Sequence, residues 1–162
     1  MEVTLNRVLK SEDYVLQNLI QFYHYEFSQY VPVLRVNADG LFKKMGIANY
    51  WTNPEYHPFF IKVDGALAGF VMIRSNGEFS NVEQFFTLKY YAGQGVGGAA
   101  AKQVFALFPG KWRVLQVKNN YAAQAFWRKV ISEYTGDRYF EKYDAKDDRS
   151  SVQEFHTDNR ML

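Results

Sequence analysis

Gly93, Gly95 and Gly98 stand in G-x-G-x-x-G spacing directly ahead of the alanine run in "GQGVGGAAAK". Glycines before a helix let backbone amides close around an anion, and the positive end of the helix dipole favours negative charge there. The chemistry suited to such a stretch is holding a phosphate or pyrophosphate. A dinucleotide loop also needs an acidic residue about 20 positions on, for a ribose hydroxyl, and position 118 is lysine. A Walker loop needs Gly-Lys-Ser/Thr, which the chain lacks. From Phe85 to Ser132 there is no Asp or Glu, against Lys89, Lys102, Lys111, Arg113, Lys118, Arg128 and Lys129. Such a local positive field suits a ligand carrying several phosphates. The competing role for these glycines is tight packing of a strand on a helix.

Other chemistries are excluded by residue type and spacing. With no cysteine, disulfides, thiolate nucleophiles and cysteine-ligated metals are ruled out. His24, His57 and His156 lie far apart and show no metal-ligand spacing, so no metal is expected. No Gly-x-Ser-x-Gly elbow is present. The formal net charge of +2 is too mild to argue for nucleic acid. The start "MEVTLNRVLK" does not read as a signal peptide, and no apolar window reaches membrane-spanning length. A cytoplasmic protein is expected, as a single domain over residues 1–162.

The elements that must position the glycines follow from periodicity. "EVTLNRVL" alternates as a strand. "SEDYVLQNLIQFYHYEFSQY" has helical spacing at Val15, Leu16, Leu19, Ile20, Tyr23 and Phe27, with Ser11 as the expected N-cap. Residues 31 to 58 are broken by prolines and glycines, with a short helix expected around Leu41 to Asn49. "FFIKV" and "ALAGFVMI" flank Asp64-Gly65, a hairpin signal. "VEQFFTLK" is the next strand, followed by the glycines and a helix that stops at Pro109-Gly110. "WRVLQV" is a strand and "NNYAAQAFWRKVIS" a helix, its face formed by Ala123, Phe126, Trp127, Val130 and Ile131. Two strands, about Arg138–Tyr143 and Val152–His156, close the chain, with the charged "EKYDAKDDRSS" as a solvated hairpin. A strand-helix-strand unit gives a parallel pair, so a mixed α/β sheet is expected.

Two motifs in this order carry a family resemblance. Ala92-Gly93-Gln94-Gly95-Val96-Gly97 resembles the Q/R-x-x-G-x-G/A pyrophosphate loop of the GNAT superfamily of acetyl-CoA-dependent N-acetyltransferases. Asn120, Ala123, Phe126 and Trp127 resemble its later N-x-x-A-x-x-F/L-Y signature. The likeness covers Phe59 to Ile131, and the wording is similar to that of a bacterial subgroup of predicted acetyltransferases. It implies an α/β (α+β) fold: a twisted, mostly antiparallel sheet of about six to seven strands, with helices on both faces. A V-shaped opening would lie between the fourth and fifth strands.

The resemblance also implies site roles. Acetyl-CoA would be the co-substrate, with its pantetheine arm in the opening. Backbone groups of Phe86, Thr87 and Leu88 would bond that arm and the acetyl carbonyl. Amides of Gly93, Gln94, Gly95, Val96, Gly97 and Gly98 would hold the pyrophosphate. Asn120 would bond the arm, and Ala123, Phe126 and Trp127 would line its other side. Ala92 replaces the usual Arg or Gln, and Trp127 the usual tyrosine. An indole N–H donates a hydrogen bond but does not release a proton at neutral pH. Glu83, with Glu78 as the other candidate, would assist deprotonation of the amine. Aromatics with Glu26, Asp39 and Glu55 would receive a cationic acceptor. The expected partners are acetyl-CoA and a small-molecule or peptide amine, with no nucleic acid and no membrane; a homodimer is left open. The competing functions are a non-catalytic acyl-CoA-binding domain and a nucleic-acid-binding module built on the basic window.

Overall fold

The computed structural model describes residues 1–144, 146 and 150–157. Seven strands form one sheet: β1 (Val3–Arg7), β2 (Tyr56–Val63), β3 (Ala66–Ser75), β4 (Phe79–Thr87), β5 (Lys111–Gln116), β6 (Tyr139–Asp144) and β7 (Ser150–His156). Their order is β1-β2-β3-β4-β5-β7-β6. Every pair is antiparallel except β4 with β5. The helices are α1 (Asp13–Phe27), α2 (Asn49–Thr52), α3 (Val96–Leu107) and α4 (Tyr121–Thr135). The mixed, mostly antiparallel sheet expected from the sequence is the one that forms.

Both faces of the sheet are covered, and the sequence of the hairpin says why. A sheet buried on both sides needs strands that are apolar at nearly every position, as "PFFIKV" and "AGFVMI" are. Phe59, Ile61, Val71 and Ile73 face α3 and α4, meeting Val104, Phe105, Trp127 and Ile131. Their strand neighbours Phe60, Phe70 and Met72 face the other way, onto Leu16 and Ile20 of α1 and Tyr50 of α2. Asp64 and Gly65 turn β2 into β3 with φ of 49° and 83°, the paired positive values of a type I′ turn. The crossover β4–α3–β5 makes the one parallel pair, as a strand-helix-strand unit does.

Local signals misplace two features on the α1 face. Ser11 lies inside a 3-10 turn, Lys10–Glu12, rather than capping α1. The Glu12 carboxylate instead accepts from the Leu9 amide at 3.0 Å. The helix expected around Leu41 to Asn49 does not form; residues 41–48 are not helical, and the single turn of α2 begins only at Asn49. Backbone groups of Phe42 and Met45 are satisfied by α1 side chains instead. Gln21 both donates to the Phe42 carbonyl and accepts from its amide, each at 2.9 Å, and Gln17 donates to the Met45 carbonyl at 2.7 Å. β6 and β7 pair antiparallel as expected; the turn of the solvated hairpin lies partly outside the described residues. Among the described residues, no helix is long and apolar enough to cross a membrane.

Candidate active site

The parallel pair holds for only three residue pairs, Phe79–Lys111, Ser80–Trp112 and Asn81–Arg113. Beyond Asn81 the two strands diverge. A β-bulge sits at the branch point: against β3, Val82 pairs with Ile73 and Gln84 with Met72, so Glu83 is the extra residue. A bulge bends its strand and sharpens the twist, which turns β4 away from β5. It also breaks strict alternation. Val82 and Phe85 both pack into the α3/α4 core, while Gln84 reaches across to α1. Glu83 acts electrostatically on Tyr50 of α2. Strict alternation along β4 would put Glu83 on the face of Phe85; instead Glu83 faces the α1/α2 layer, because the bulge takes up one residue of register.

The opening continues as one groove. Its inner part is a cavity of about 260 Å³ between Val82–Phe85 and Val114–Val117, roofed by Tyr23 and Phe27 of α1. A cavity of about 320 Å³ follows, past Phe86, Thr87 and Ala92 on one side and Asn120, Ala123, Phe126 and Trp127 on the other. The first two share Tyr23, Phe27, Phe85, Asn120, Ala123 and Trp127. A third, of about 550 Å³, spreads over Gly93, Gly95, Val96, Gly97 and Gly98, and shares Thr87, Ala92 and Phe126 with the second.

At the glycine end the backbone is arranged for an anion. Gly95 caps α3 in the left-handed region, with φ of 79°. Among the described residues, no protein group accepts from the amides of Gly93 through Gly98, and the first amides of a helix have no intrahelical partner. Gly97 has a second, structural reason. A Cβ there would meet Phe126 of α4 at 3.1 Å, so the packing role for glycine holds at this position too. Gln94 does not line the groove; its side chain donates to the Tyr90 carbonyl at 3.0 Å.

The ladder assigns directions to the β4 peptide groups. Leu88 N–H donates to Ala68 at 2.7 Å, and Phe86 pairs with Phe70 in the same register. By antiparallel alternation, the peptide groups of Phe86 and Leu88 point to β3, and those of Phe85 and Thr87 point into the opening. The peptide groups left to face the opening are thus those of Phe85 and Thr87, not those of Phe86 and Leu88. Phe86 still lines the groove, whereas the Leu88 side chain packs in the α1 layer. Asn120 caps α4, accepting from the Ala123 amide at 3.1 Å. Trp127 is 6% exposed and meets Phe85 edge-on at 5.0 Å. It is core and groove wall at once.

Glu83 lines the mouth of the opening. It reaches solvent, yet the surrounding walls strip water from its carboxylate, and that desolvation raises its pKa. Arg74 and Arg113 pull in the opposite direction without cancelling it. Glu78 lies outside the groove, at the turn before β4, where its amide donates to Asn76. Glu26 pairs with Lys89 at 3.2 Å beside the middle cavity and Glu55 with Arg74 at 3.5 Å. Asp39 sits in an exposed turn held by Asn37.

Folding also alters the basic window. Lys89, Lys102, Arg113 and Arg128 pair with Glu26, Glu133, Asp144 and Glu141. All four acids come from outside residues 85–132, so the positive field expected from the window is largely offset. Tyr23 and Gln84 were not singled out by motif. The Tyr23 hydroxyl donates to Gln84 Oε1 at 2.5 Å across the opening, and burial pushes the phenol pKa far up. The only signal for Tyr23 was its place on the apolar face of α1.

A model of the acetyltransferase (GNAT) family matches residues 17–131. No curated protein matches the sequence. Among solved structures, an acetyltransferase from Thermus thermophilus aligns over 96% of this chain and 97% of its own, at 11% identity and a TM-score of 0.70. The PaiA N-acetyltransferase of Thermoplasma acidophilum, solved with coenzyme A, aligns over 96% and 99%, at 9% identity and a TM-score of 0.62. A GNAT family acetyltransferase from Elizabethkingia anophelis, solved with acetyl-CoA bound, aligns over 95% and 97%, at 12% identity and a TM-score of 0.58.

Proposed function

The chain belongs to the acetyltransferase (GNAT) family, and from that premise we propose that it moves an acetyl group from acetyl-CoA to an amine by direct attack in a ternary complex. The observation that carries the reading is the continuous groove, with unpartnered amides at Gly93–Gly98 at one end and Glu83 at the other. The amides take the pyrophosphate, with the α3 dipole behind them. Because they bind through backbone, Ala92 in place of a longer polar side chain leaves the cradle intact. The pantetheine arm lies between the strands, where its amides substitute for the missing β5 ladder at Phe85 and Thr87. Asn120, Ala123, Phe126 and Trp127 form the facing wall.

Chemistry takes place where the strands part. Glu83, its pKa raised by desolvation, takes a proton from the ammonium of the acceptor, directly or through water. The amine then attacks the thioester carbonyl, whose developing oxyanion is met by a β4 amide facing the opening. Collapse breaks the C–S bond, and the second proton on the new amide nitrogen passes through water to the departing thiolate, giving neutral amide and free CoA. Trp127 cannot supply a proton to the thiolate. Tyr23 lines both cavities at this junction and carries a phenol O–H, so it is the hydrogen-bond donor nearest that role. Isothermal titration with acetyl-CoA, followed by free-CoA release across an amine panel, tests the reading. Binding and turnover are expected; absence of acetyl-CoA binding at millimolar ligand overturns it. Binding without turnover identifies a non-catalytic acyl-CoA-binding domain instead.

A further inference from the structure

Acetyl transfer as such needs a base at the mouth of the opening, but not the other charges gathered there. Arg74 on β3, Asn81 on β4 and Arg113 on β5 are direct cross-strand neighbours. Neighbours in register project from the same face of a sheet, here the α1/α2 face, where Arg74 lies over the Tyr56 ring at 5.2 Å. Glu83 lies two residues further along β4, about 7 Å at the rise of a strand. Asn81, Glu83 and Arg113 line one cavity of about 280 Å³, with Val82 and Leu115 as its apolar sides.

The ion pairs around this row are incomplete. Arg74 meets Glu55 through Nε at 3.5 Å, and Arg113 meets Asp144 through one Nη2 contact at 2.9 Å. A guanidinium carries five N–H donors in a planar fork, suited to taking a carboxylate by two parallel bonds. Glu83 has no ion-pair partner among the described residues. One end of the cavity thus offers an acceptor for an ammonium, and the other a carboxamide beside the Arg113 guanidinium.

We propose that this cavity receives an acceptor carrying both an amine and a carboxylate, with its nitrogen at Glu83 and its carboxylate on Arg113 and Asn81. The inference rests on the acetyltransferase reading and narrows it to amino-acid-type acceptors. A polyamine fits poorly, because its second ammonium would lie against the Arg113 guanidinium. An amide or ester of the same amine keeps the Glu83 contact and loses the charge-assisted bonds.

The test compares the standard amino acids with their amides and with spermidine, in wild type and Arg113→Gln. Rates of CoA release are measured alongside calorimetric binding of each free acid to CoA-saturated protein. The free acid is expected to exceed its amide by about 10–100-fold in kcat/KM, the scale of a hydrogen bond to a charged group. Arg113→Gln should erase that preference through KM, with kcat little changed. Equal use of acid and amide, or a preference for spermidine, overturns the proposal while leaving acetyl transfer standing. Where acetyl-CoA binds but no amine is acetylated, calorimetry decides: free-acid binding lost in Arg113→Gln supports the carboxylate site, and no binding of free acids overturns it. A protein that binds no acetyl-CoA overturns both readings together. The wild-type comparison of acid with amide holds even where a variant misfolds.

Discussion

At the residue scale, Glu83 owes its position to the bulge and its basicity to the walls around it. Replacing it with glutamine should lower kcat by about 10²–10⁴-fold, the usual contribution of a positioned base. Acetyl-CoA affinity measured by titration should be unchanged, because the phosphate end of the groove is separate. A kcat close to wild type would remove Glu83 from proton transfer. The pH profile gives an independent readout. The base works deprotonated, and its pKa is raised by desolvation, so activity should fall off on the acid side above the ordinary glutamate range. The same acid limb should vanish in Glu83→Gln. Two neighbouring glycines separate packing from helix propensity. A methyl at Gly97 meets the Phe126 ring at 3.1 Å, while one at Gly98 meets Val130 at an ordinary 3.8 Å. Gly97→Ala should destabilise the fold by about 1–3 kcal/mol through overpacking. Gly98→Ala should be neutral or stabilising by up to about 1 kcal/mol. Urea denaturation of the pair checks the contrast, and equal effects would deny the close α3–α4 approach.

At the element scale, α4 is held at its start by one side chain with two positions to fill. Asn120 caps the helix through Ala123 and also lines the groove. Asn120→Ala should cost about 0.5–2 kcal/mol of stability, whereas Asn120→Asp retains a capping oxygen and exchanges the amide donor for a negative charge. If Asn120 also bonds the pantetheine arm, Asn120→Asp should keep its melting temperature and weaken acetyl-CoA binding. Full binding by that variant would confine Asn120 to the cap. How much of this was legible in the sequence depended on range. The Asp64-Gly65 turn and the α3 glycines are written within a few consecutive residues, and each formed where its residues indicated; the Asn120 cap emerged only in the structure. The bulge at Glu83 was not legible, because it is a mismatch of register between β3 and β4 that neither strand carries alone. Tyr23 meets Gln84 across 61 residues of chain. The acids that pair with the basic window come from α1, the end of α4 and β6. Proximity of that kind is a product of the fold, so a local count of charge overstated the field.

At the scale of the whole molecule, a buried and a half-buried histidine, His24 and His57, tie stability to pH. Desolvation lowers the pKa of both His24 and His57, and for His57 the Arg7 guanidinium adds to it. The unfolded chain titrates them near the ordinary value of 6.5. Between that value and the lower folded one, the unfolded state binds more protons. Stability should therefore be full above about pH 6.5 and decline as pH falls below it. Thermal melts from pH 7.5 to 5 check the sign, and His24→Phe should flatten part of the slope. A melting temperature that rises on acidification would contradict the burial of these rings.

The short seam between β4 and β5 has a mechanical meaning as well. Three residue pairs stitch the two plates of the sheet together, and the rest of that boundary is unsewn. A donor molecule lying along it acts as a splint, bonded to one plate through peptide groups and wedged against the wall of the other. Loading the donor and stiffening the sheet are then a single event. The β4 amides of Phe85 and Thr87, which face the opening, should slow their exchange with deuterium when acetyl-CoA is added, while those of β2, already zipped on both sides, keep their pace.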